Sequence, residues 1–322
     1  MSIHSKRLPS NLVSRKGGTV FSLMIPDFSV PEIPFLPGTH TVEVLGRKYD
    51  LGPWTIKPFG ALVALGVYVG MIITTRIGAA RGLPRHAVAR FLYWVLVCAF
   101  VGGHVLDVAF YHPSLIIHDP LSLLRLWDGL SSFGGFIGAL IGVLAFKKYY
   151  KVKNVLPFVE TMGTAFPVGW AFGRLGCAVV HDHPGITTHT WFDVAFKDGP
   201  RLDLGLCEMA FATLIAIVCM GLARKPRPPG FVLGFTMLSY APVRFALDFL
   251  RIDYTRSVYA DPRYLELTPA QWGSIAMGIA GFVFLWKACN SPEVGNEPYV
   301  KAATEADPSL LGIDNQQPTT TK

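Results

Sequence analysis

Long apolar runs broken by short polar connections recur through most of the chain's 322 residues. A run of about 17 to 25 mostly apolar residues suffices to cross about 30 Å of hydrocarbon. Seven stretches meet that measure: 58–77, 91–111, 130–146, 155–176, 206–223, 231–250 and 271–288. The pattern predicts an all-α polytopic membrane protein with seven transmembrane helices. Residues 26–55, rich in Pro and carrying the β-forming Thr41-Val42-Glu43-Val44, depart from it, as does the loop 182–205 around Thr188 to Ala195. Both read as extended structure, together a small external β cap. After Lys287 the composition turns polar, ending in Gln316-Gln317-Pro318-Thr319-Thr320-Thr321. The expected organisation is an external N-terminal segment over 1–55, a membrane domain over 56–288 with an external loop at 178–205, and a disordered cytoplasmic tail over 289–322.

Charge refines this picture. A hydrophobic content of 51% makes the formal charge of +7 a question of topology rather than of nucleic-acid binding. Arg76, Arg81, Arg85 and Arg90 flank the first connection, Lys147, Lys148, Lys151 and Lys153 the third, and Arg224, Lys225 and Arg227 the fifth. These connections hold no acid, whereas Asp182, Asp193, Asp198 and Asp203 lie between the fourth and fifth spans. The positive-inside bias therefore places the N-terminus outside and the C-terminus in the cytoplasm. Lys6, Arg7, Arg15, Lys16, Arg47, Lys48 and Lys57 oppose that placement, but the three basic connections are the more coherent signal. No cleavable leader is evident, so the first long helix is expected to direct insertion. Cys98, Cys177, Cys207, Cys219 and Cys289 show no CxxC spacing, and neither a disulfide framework nor a metal site is expected. Nor does an internal repeat suggest an inverted-repeat transporter.

Ionisable side chains inside a span cost about 2.5–3.5 kcal/mol each on insertion scales, so each asks for a reason. His104 and Asp107 fall in the second span, Glu160 and Arg174 in the fourth, Glu208 at the start of the fifth, and Arg244, Asp248 and Arg251 in or at the end of the sixth. His104, Asp107, Arg174, Arg244, Asp248 and Arg251 all fall in the outer half, which suggests one shared cavity. Tyr240, Arg244, Asp248 and Arg251 share one helix face by their spacing. Blander readings stand beside these: Arg244 and Asp248 as an intrahelical pair, His104 and Asp107 as a structural hydrogen bond, and Glu160 as purely structural. Glycines at four-residue spacing (Gly66/Gly70, Gly134/Gly138/Gly142, Gly169/Gly173) favour close helix packing. Gly134, Gly135 and Gly173 abut the polar cluster, where a missing Cβ also lets a ligand approach.

Trp127-Asp128-Gly129-Leu130-Ser131-Ser132-Phe133-Gly134-Gly135-Phe136-Ile137-Gly138, then Gly173-Arg174-Leu175-Gly176-Cys177, then Tyr240-Ala241-Pro242-Val243-Arg244-Phe245-Ala246-Leu247-Asp248-Phe249-Leu250-Arg251 follow one another in register. With Leu267-Thr268-Pro269-Ala270-Gln271-Trp272 leading into the last span, this order resembles the prolipoprotein diacylglyceryl transferase family from about Ile56 to Ala288. The resemblance implies an enzyme of the bacterial plasma membrane. It would move the diacylglyceryl group of phosphatidylglycerol to the lipobox cysteine thiol of a preprolipoprotein, forming a thioether and releasing glycerol phosphate without a cofactor. It carries Arg174 over as the arginine of the family signature and Arg244 as the essential arginine of the sixth span, with Tyr240, Asp248 and Arg251 as companions.

The chain also departs from the family pattern. Phe133 stands where the family often has histidine before Gly-Gly, Cys177 where the signature has asparagine, Val180-His181-Asp182 where it has Asn-Gly-Glu, and Phe59 where it has tyrosine. Guanidinium groups suit a phosphate clamp because they are planar, always charged and bidentate. Arg174 and Arg244 are therefore expected to grip the leaving phosphate and Arg251 to guide the headgroup in. With Phe133 unable to accept a proton, His104 oriented by Asp107 is the first candidate base, and His181 or His183 the second. Two other classes remain: a non-catalytic family member that binds phospholipid or lipoprotein, and a proton-coupled transporter, whose polar residues would spread through the full bilayer depth.

Overall fold

The computed structural model describes residues 25–36, 38, 40–44, 47–51, 54–111, 113–124, 129–188, 190–196, 199–251, 263–292 and 295–311. The first 24 residues with their four basic side chains, Trp127, Asp128, Asp198 and the last eleven residues lie outside it.

Four short strands open the described chain: β1 (Ile33–Leu36), β2 (His40–Val44), β3 (Arg47–Leu51) and β4 (Trp54–Ile56). β2 and β3 form an antiparallel hairpin with Thr41 opposite Asp50, and β1 pairs antiparallel with β4. The helices α1 (Pro58–Ala80), α2 (Arg85–Tyr111), α3 (Pro113–His118), α4 (Ser132–Tyr149) and α5 (Leu156–Val180) follow, with a 3-10 turn over Pro120–Leu124. A second hairpin, β5 (Asp193–Phe196) and β6 (Gly199–Leu202), precedes α6 (Leu204–Leu222), α7 (Phe231–Phe249), α8 (Pro269–Cys289) and α9 (Glu297–Thr304). Ile25, just before the first extended region, pairs with the second: its amide donates to Asp193 O at 2.9 Å, and the Ala195 amide to Ile25 O at 3.1 Å.

Among the described residues, four helices are long and apolar enough to cross a membrane: α1, α2 over Arg85–Ala109, α6 and α8. The remaining long helices α5 and α7 carry Glu160, Arg174, Arg244 and Asp248, and α4 is the shortest of the long set at 18 residues. What lowers the apolarity of α5 and α7 is thus their ionisable residues.

Helix pairs pack α2 on α4, α1 on α5, α7 on α8 and α5 on α6. Glycine makes the first contact possible, since a Cβ on Gly138 would lie 2.1 Å from Cys98 O and one on Gly142 2.7 Å from Trp94 O. Gly66 packs against Gly169 O in the same way, whereas Gly70 faces open space.

Glu160, near the start of α5, accepts hydrogen bonds from the amides of Gly230 (2.9 Å), Val232 (2.9 Å) and Leu233 (3.0 Å). It thereby satisfies the orphan donors that open α7, so its role is structural, in line with the sequence reading. The same end of the bundle holds the largest apolar cluster, with Leu83, Phe91, Phe146 and Phe158 buried together.

The tail departs from expectation. Where disorder is predicted, α9 and a 3-10 turn over Pro308–Leu311 pack into that cluster, with Tyr299 and Leu310 fully buried. The Tyr299 hydroxyl meets Arg81 Nη1 at 2.8 Å, and the same buried guanidinium donates to Ala223 O and Lys225 O, both at 3.4 Å. One apolar face, Tyr299, Ala302, Ala303 and Ala306, suffices to anchor a segment whose average composition is polar.

Candidate functional site

The distance along α5 sets the depth of the site. Glu160 and Arg174 are fourteen residues apart, so Arg174 lies about 21 Å along the axis from the capped start of α7. At that level α5 presents Arg174, the start of α6 presents Glu208, and the second half of α7 presents Tyr240, Arg244 and Asp248. Arg174, Glu208 and Asp248 are 8%, 3% and 4% exposed, which is deep burial for charged groups and requires mutual compensation.

Glu208 supplies that compensation. Its Oε2 pairs with Arg174 Nε and its Oε1 lies 3.3 Å from Arg244 Nε. Tyr240 donates its hydroxyl to Glu208 Oε2 at 3.0 Å and accepts from Trp170 Nε1 at 2.8 Å. The Trp170 ring also carries the Arg174 guanidinium, with Cζ 4.7 Å from its centroid. Arg244 Nη1 reaches Asp248 Oδ1 at 3.1 Å, and Arg251 Nε lies 4.0 Å from the same oxygen. Asp248 Oδ2 accepts from the Thr268 hydroxyl, and Thr268 caps α8 in a reciprocal pair with Gln271. Among the described residues, Arg174, Arg244 and Arg251 thus gather around Glu208 and Asp248.

The structure thus brings together Arg174, Arg244, Tyr240, Asp248 and Arg251, and adds Glu208, Trp170 and Thr268. The intrahelical Arg244–Asp248 pair exists as the blander reading has it, yet Arg244 reaches Glu208 as well, and so belongs to a cluster spanning three helices. Glu208 had a sequence signal, an acid one turn into an otherwise apolar span; its bridging role had none, since that depends on where α6 sits between α5 and α7.

His104 and Asp107 are placed differently from expectation. His104 is buried, with Nδ1 3.1 Å from Gly129 O and Nε2 2.9 Å from Ser122 O. Both ring nitrogens lie within hydrogen-bond distance of backbone carbonyls, and among the described residues no hydrogen bond joins Asp107 to the ring. Asp107 instead crowds Gly129, where a Cβ would lie 2.5 Å from its Oδ2. The pair braces the turn that enters α4, helped by the Ser131 amide on Gly103 O at 3.0 Å. Among the described residues, no hydrogen bond or ion pair joins either side chain to the arginine cluster.

The glycines divide as well. Gly134 is a packing residue, its missing Cβ filled by Gly102 O at 2.5 Å and Leu106 Cβ at 2.9 Å, so it offers no ligand approach. Gly135 has a single neighbour, Ala99 O, at 3.9 Å, and Gly173, beside Arg174, faces open space.

His181 ends α5 in the left-handed region at φ 51° and turns the chain back over the last helical turn. Its Nδ1 meets Asp203 Oδ2 at 2.7 Å and its Nε2 lies 3.3 Å from Asp27 Oδ1, with the Phe28 ring edge-on at 5.0 Å. Burial pushes the Asp203 carboxyl above its ordinary range, and the His181 contact opposes that. Asp27, near the surface, sits below the ordinary range because the Ser29 amide donates to it. Leu204 N donates to His183 O, Gly185 N to Leu202 O and Ile186 N to Leu250 O, which holds residues 183–186 between the start of α6 and the end of α7.

Comparison with known proteins finds relatives over most of the chain. The family model for prolipoprotein diacylglyceryl transferase matches residues 48–287. A phosphatidylglycerol–prolipoprotein diacylglyceryl transferase of Cupriavidus necator is 28% identical over 76% of this chain and 93% of its own length. Its counterparts in Francisella tularensis (29% identical, 73% of this chain, 90% of that protein) and Pseudoalteromonas atlantica (26%, 74% and 86%) are similar to the same degree.

Proposed function

We propose a reaction for this site on one premise: the chain belongs to the prolipoprotein diacylglyceryl transferase family. It is a multi-pass membrane transferase that moves the diacylglyceryl group of phosphatidylglycerol to a prolipoprotein. The observation that carries this reading is the convergence of Arg174 of α5 and Arg244 of α7 on Glu208 of α6.

All seven long helices cross the membrane in this reading. The connections at Arg81–Arg85 and Arg224–Arg227 lie together at the Glu160 end, joined by the Arg81 hydrogen bonds, and that end faces the cytoplasm. The arginine cluster then opens toward the exported side, where a lipobox cysteine arrives behind its signal peptide.

A phosphodiester is an anion, and guanidiniums suit it as planar donors that are always charged. Arg251, more exposed at 29%, meets the headgroup first, and Arg174 and Arg244 take the phosphate oxygens. The acceptor sulfur attacks the glycerol carbon that bears the phosphate, a C–S bond forms and the C–O bond breaks. The electron pair moves to the phosphate oxygen, and glycerol phosphate leaves. The two guanidiniums, held in place by Glu208, Trp170 and Asp248 before the substrate arrives, stabilise the charge that develops on that oxygen. The Tyr240 hydroxyl positions Glu208 and does not contact the reacting atoms.

Purified protein in lipid micelles, given phosphatidylglycerol labelled in its acyl chains and a lipobox peptide, tests the reading. The expected result is a peptide mass increase of one diacylglyceryl group with release of glycerol phosphate. A folded protein that leaves the peptide unmodified overturns it.

A further inference from the structure

A thiol is a poor nucleophile, and something must hold the acceptor sulfur as a thiolate. The two expected sources of a base are missing: Phe133 has no basic atom, and both nitrogens of His104 face carbonyls. His181 is held between Asp203 and Asp27. The remaining chemistry at this depth lies where α5 ends.

The left-handed turn at His181 folds Asp182 and His183 back over the last turn of α5. As a result Cys177 Sγ, a carboxylate oxygen of Asp182 and a ring nitrogen of His183 lie within 4.8 Å of one another. Thiolate, carboxylate and imidazole are the donor set of a zinc-class cation, and three protein ligands with one open position describe a catalytic rather than a closed structural site. Bond lengths of about 2.0–2.3 Å in a tetrahedron put ligand atoms about 3.4–3.6 Å apart, so closing the set needs movements on the order of 1 Å. Asp182 and His183, whose side chains are 41% and 25% exposed, can supply these by exchanging the Nδ1–Oδ1 hydrogen bond they share for the cation, while Cys177 is buried.

One neighbour of the Cys177 sulfur is a cation. Arg174 Nη1 donates to Cys177 Sγ at 3.7 Å, and Glu208 balances the Arg174 charge, so a cation here does not face an uncompensated guanidinium. Gly173, one turn before Cys177, leaves open space beside the arginine.

We propose that Cys177, Asp182 and His183 bind a zinc-class divalent cation whose open position takes the acceptor cysteine as its thiolate. This rests on the transferase reading for its purpose and on the ligand geometry for its existence. Coordination deprotonates the thiol outright, releasing the proton to solvent at the exposed Asp182–His183 face. The metal-held sulfur then attacks the glycerol carbon while the Arg174–Arg244 pair receives the leaving phosphate. No redox step or further reactant is involved.

The full-length protein in detergent, stripped with a chelator, is titrated with Co²⁺. One equivalent is expected to bind with a sulfur-to-cobalt charge-transfer band in the near ultraviolet, which Zn²⁺ abolishes. Cys177→Ser removes the band, and Asp182→Ala and His183→Ala, at an exposed and a half-buried position, weaken binding by roughly a hundredfold or more, at least what loss of an outer partner costs. Transfer to the peptide falls on chelation and returns with Zn²⁺. A folded protein without the band overturns the proposal, as does full-rate transfer in chelator, which would leave the transferase reading standing. A band that Cys177→Ser abolishes, in a protein that transfers nothing in any metal state, supports the metal site and sinks the transferase reading instead.

Discussion

Replacing Arg244 by lysine separates a phosphate clamp from a charge that merely accompanies Asp248. Arg244 reaches Glu208 Oε1 through Nε at 3.3 Å and Asp248 Oδ1 through Nη1 at 3.1 Å, so one planar group spans acceptors on two helices. Lysine keeps the positive charge but has a single nitrogen, and cannot hold both carboxylates while presenting a fork to phosphate. Losing one preorganised donor to a developing oxyanion costs about 2.7–4 kcal/mol, or about 10²–10³ in turnover. The fold is expected to survive, because Glu208 keeps Arg174 and Tyr240, and Asp248 keeps Thr268 and Arg251. Stability then drops by only about 1–3 kcal/mol, the worth of a charged hydrogen bond. The assay is turnover of labelled phosphatidylglycerol on a lipobox peptide at saturating lipid, with a thermal melt of the same preparation. The Michaelis constant should move far less than turnover, since the retained charge still attracts the headgroup. A normally melting variant that loses less than about tenfold in turnover would refute the clamp.

Three further outcomes follow from the same geometry. Glu160→Gln removes the charge that receives three amides at the start of α7 and should destabilise the protein by about 2–4 kcal/mol in a melt, with the turnover of the folded fraction unchanged. His104→Gln should lower the melting temperature while leaving the shape of the pH–rate profile intact; a lost ionisation in that profile would restore His104 as a base. The Asp27 carboxyl, held below its ordinary range by the Ser29 amide, contributes stability that is present above the unfolded carboxylate pKa and lost as pH falls through the folded one. Hydrogen-exchange protection at Val30, whose amide donates to Val179 O, is thus expected to persist at neutral pH and weaken below about pH 4 in the native chain, and to be weak throughout in Asp27→Asn.

Much of the site is readable from a single line of residues, for a physical reason. In a chain this apolar, each ionisable residue within a long helix is expensive, so Arg174, Arg244 and Asp248 announce themselves by being where they are. The regular advance of a helix then groups Tyr240, Arg244 and Asp248 on one face. His104 announces itself by the same rule, but with another outcome. The rule detects burial of a polar group and does not say whether its partner is a substrate or a backbone carbonyl, and for His104 the carbonyls of Gly129 and Ser122 won. Gly134 fails similarly, since a missing side chain serves helix packing and ligand approach equally well until the neighbour is known.

What the sequence by itself determined is therefore the class of molecule, its helical segments and the set of charges that need partners, because hydropathy and helical period are properties of nearby residues. Only the tertiary structure decided the partners. Glu208 joins two arginines because α6 stands between α5 and α7. Residues 297–311 of the polar tail pack down because a small apolar face of α9 joins Leu83, Phe91 and Phe158 in one cluster. Cys177, Asp182 and His183, without any recognisable metal spacing, come together because one left-handed residue reverses the chain. Each of these depends on contacts between segments far apart in sequence or on a single backbone turn, and neither leaves a periodic trace along the chain.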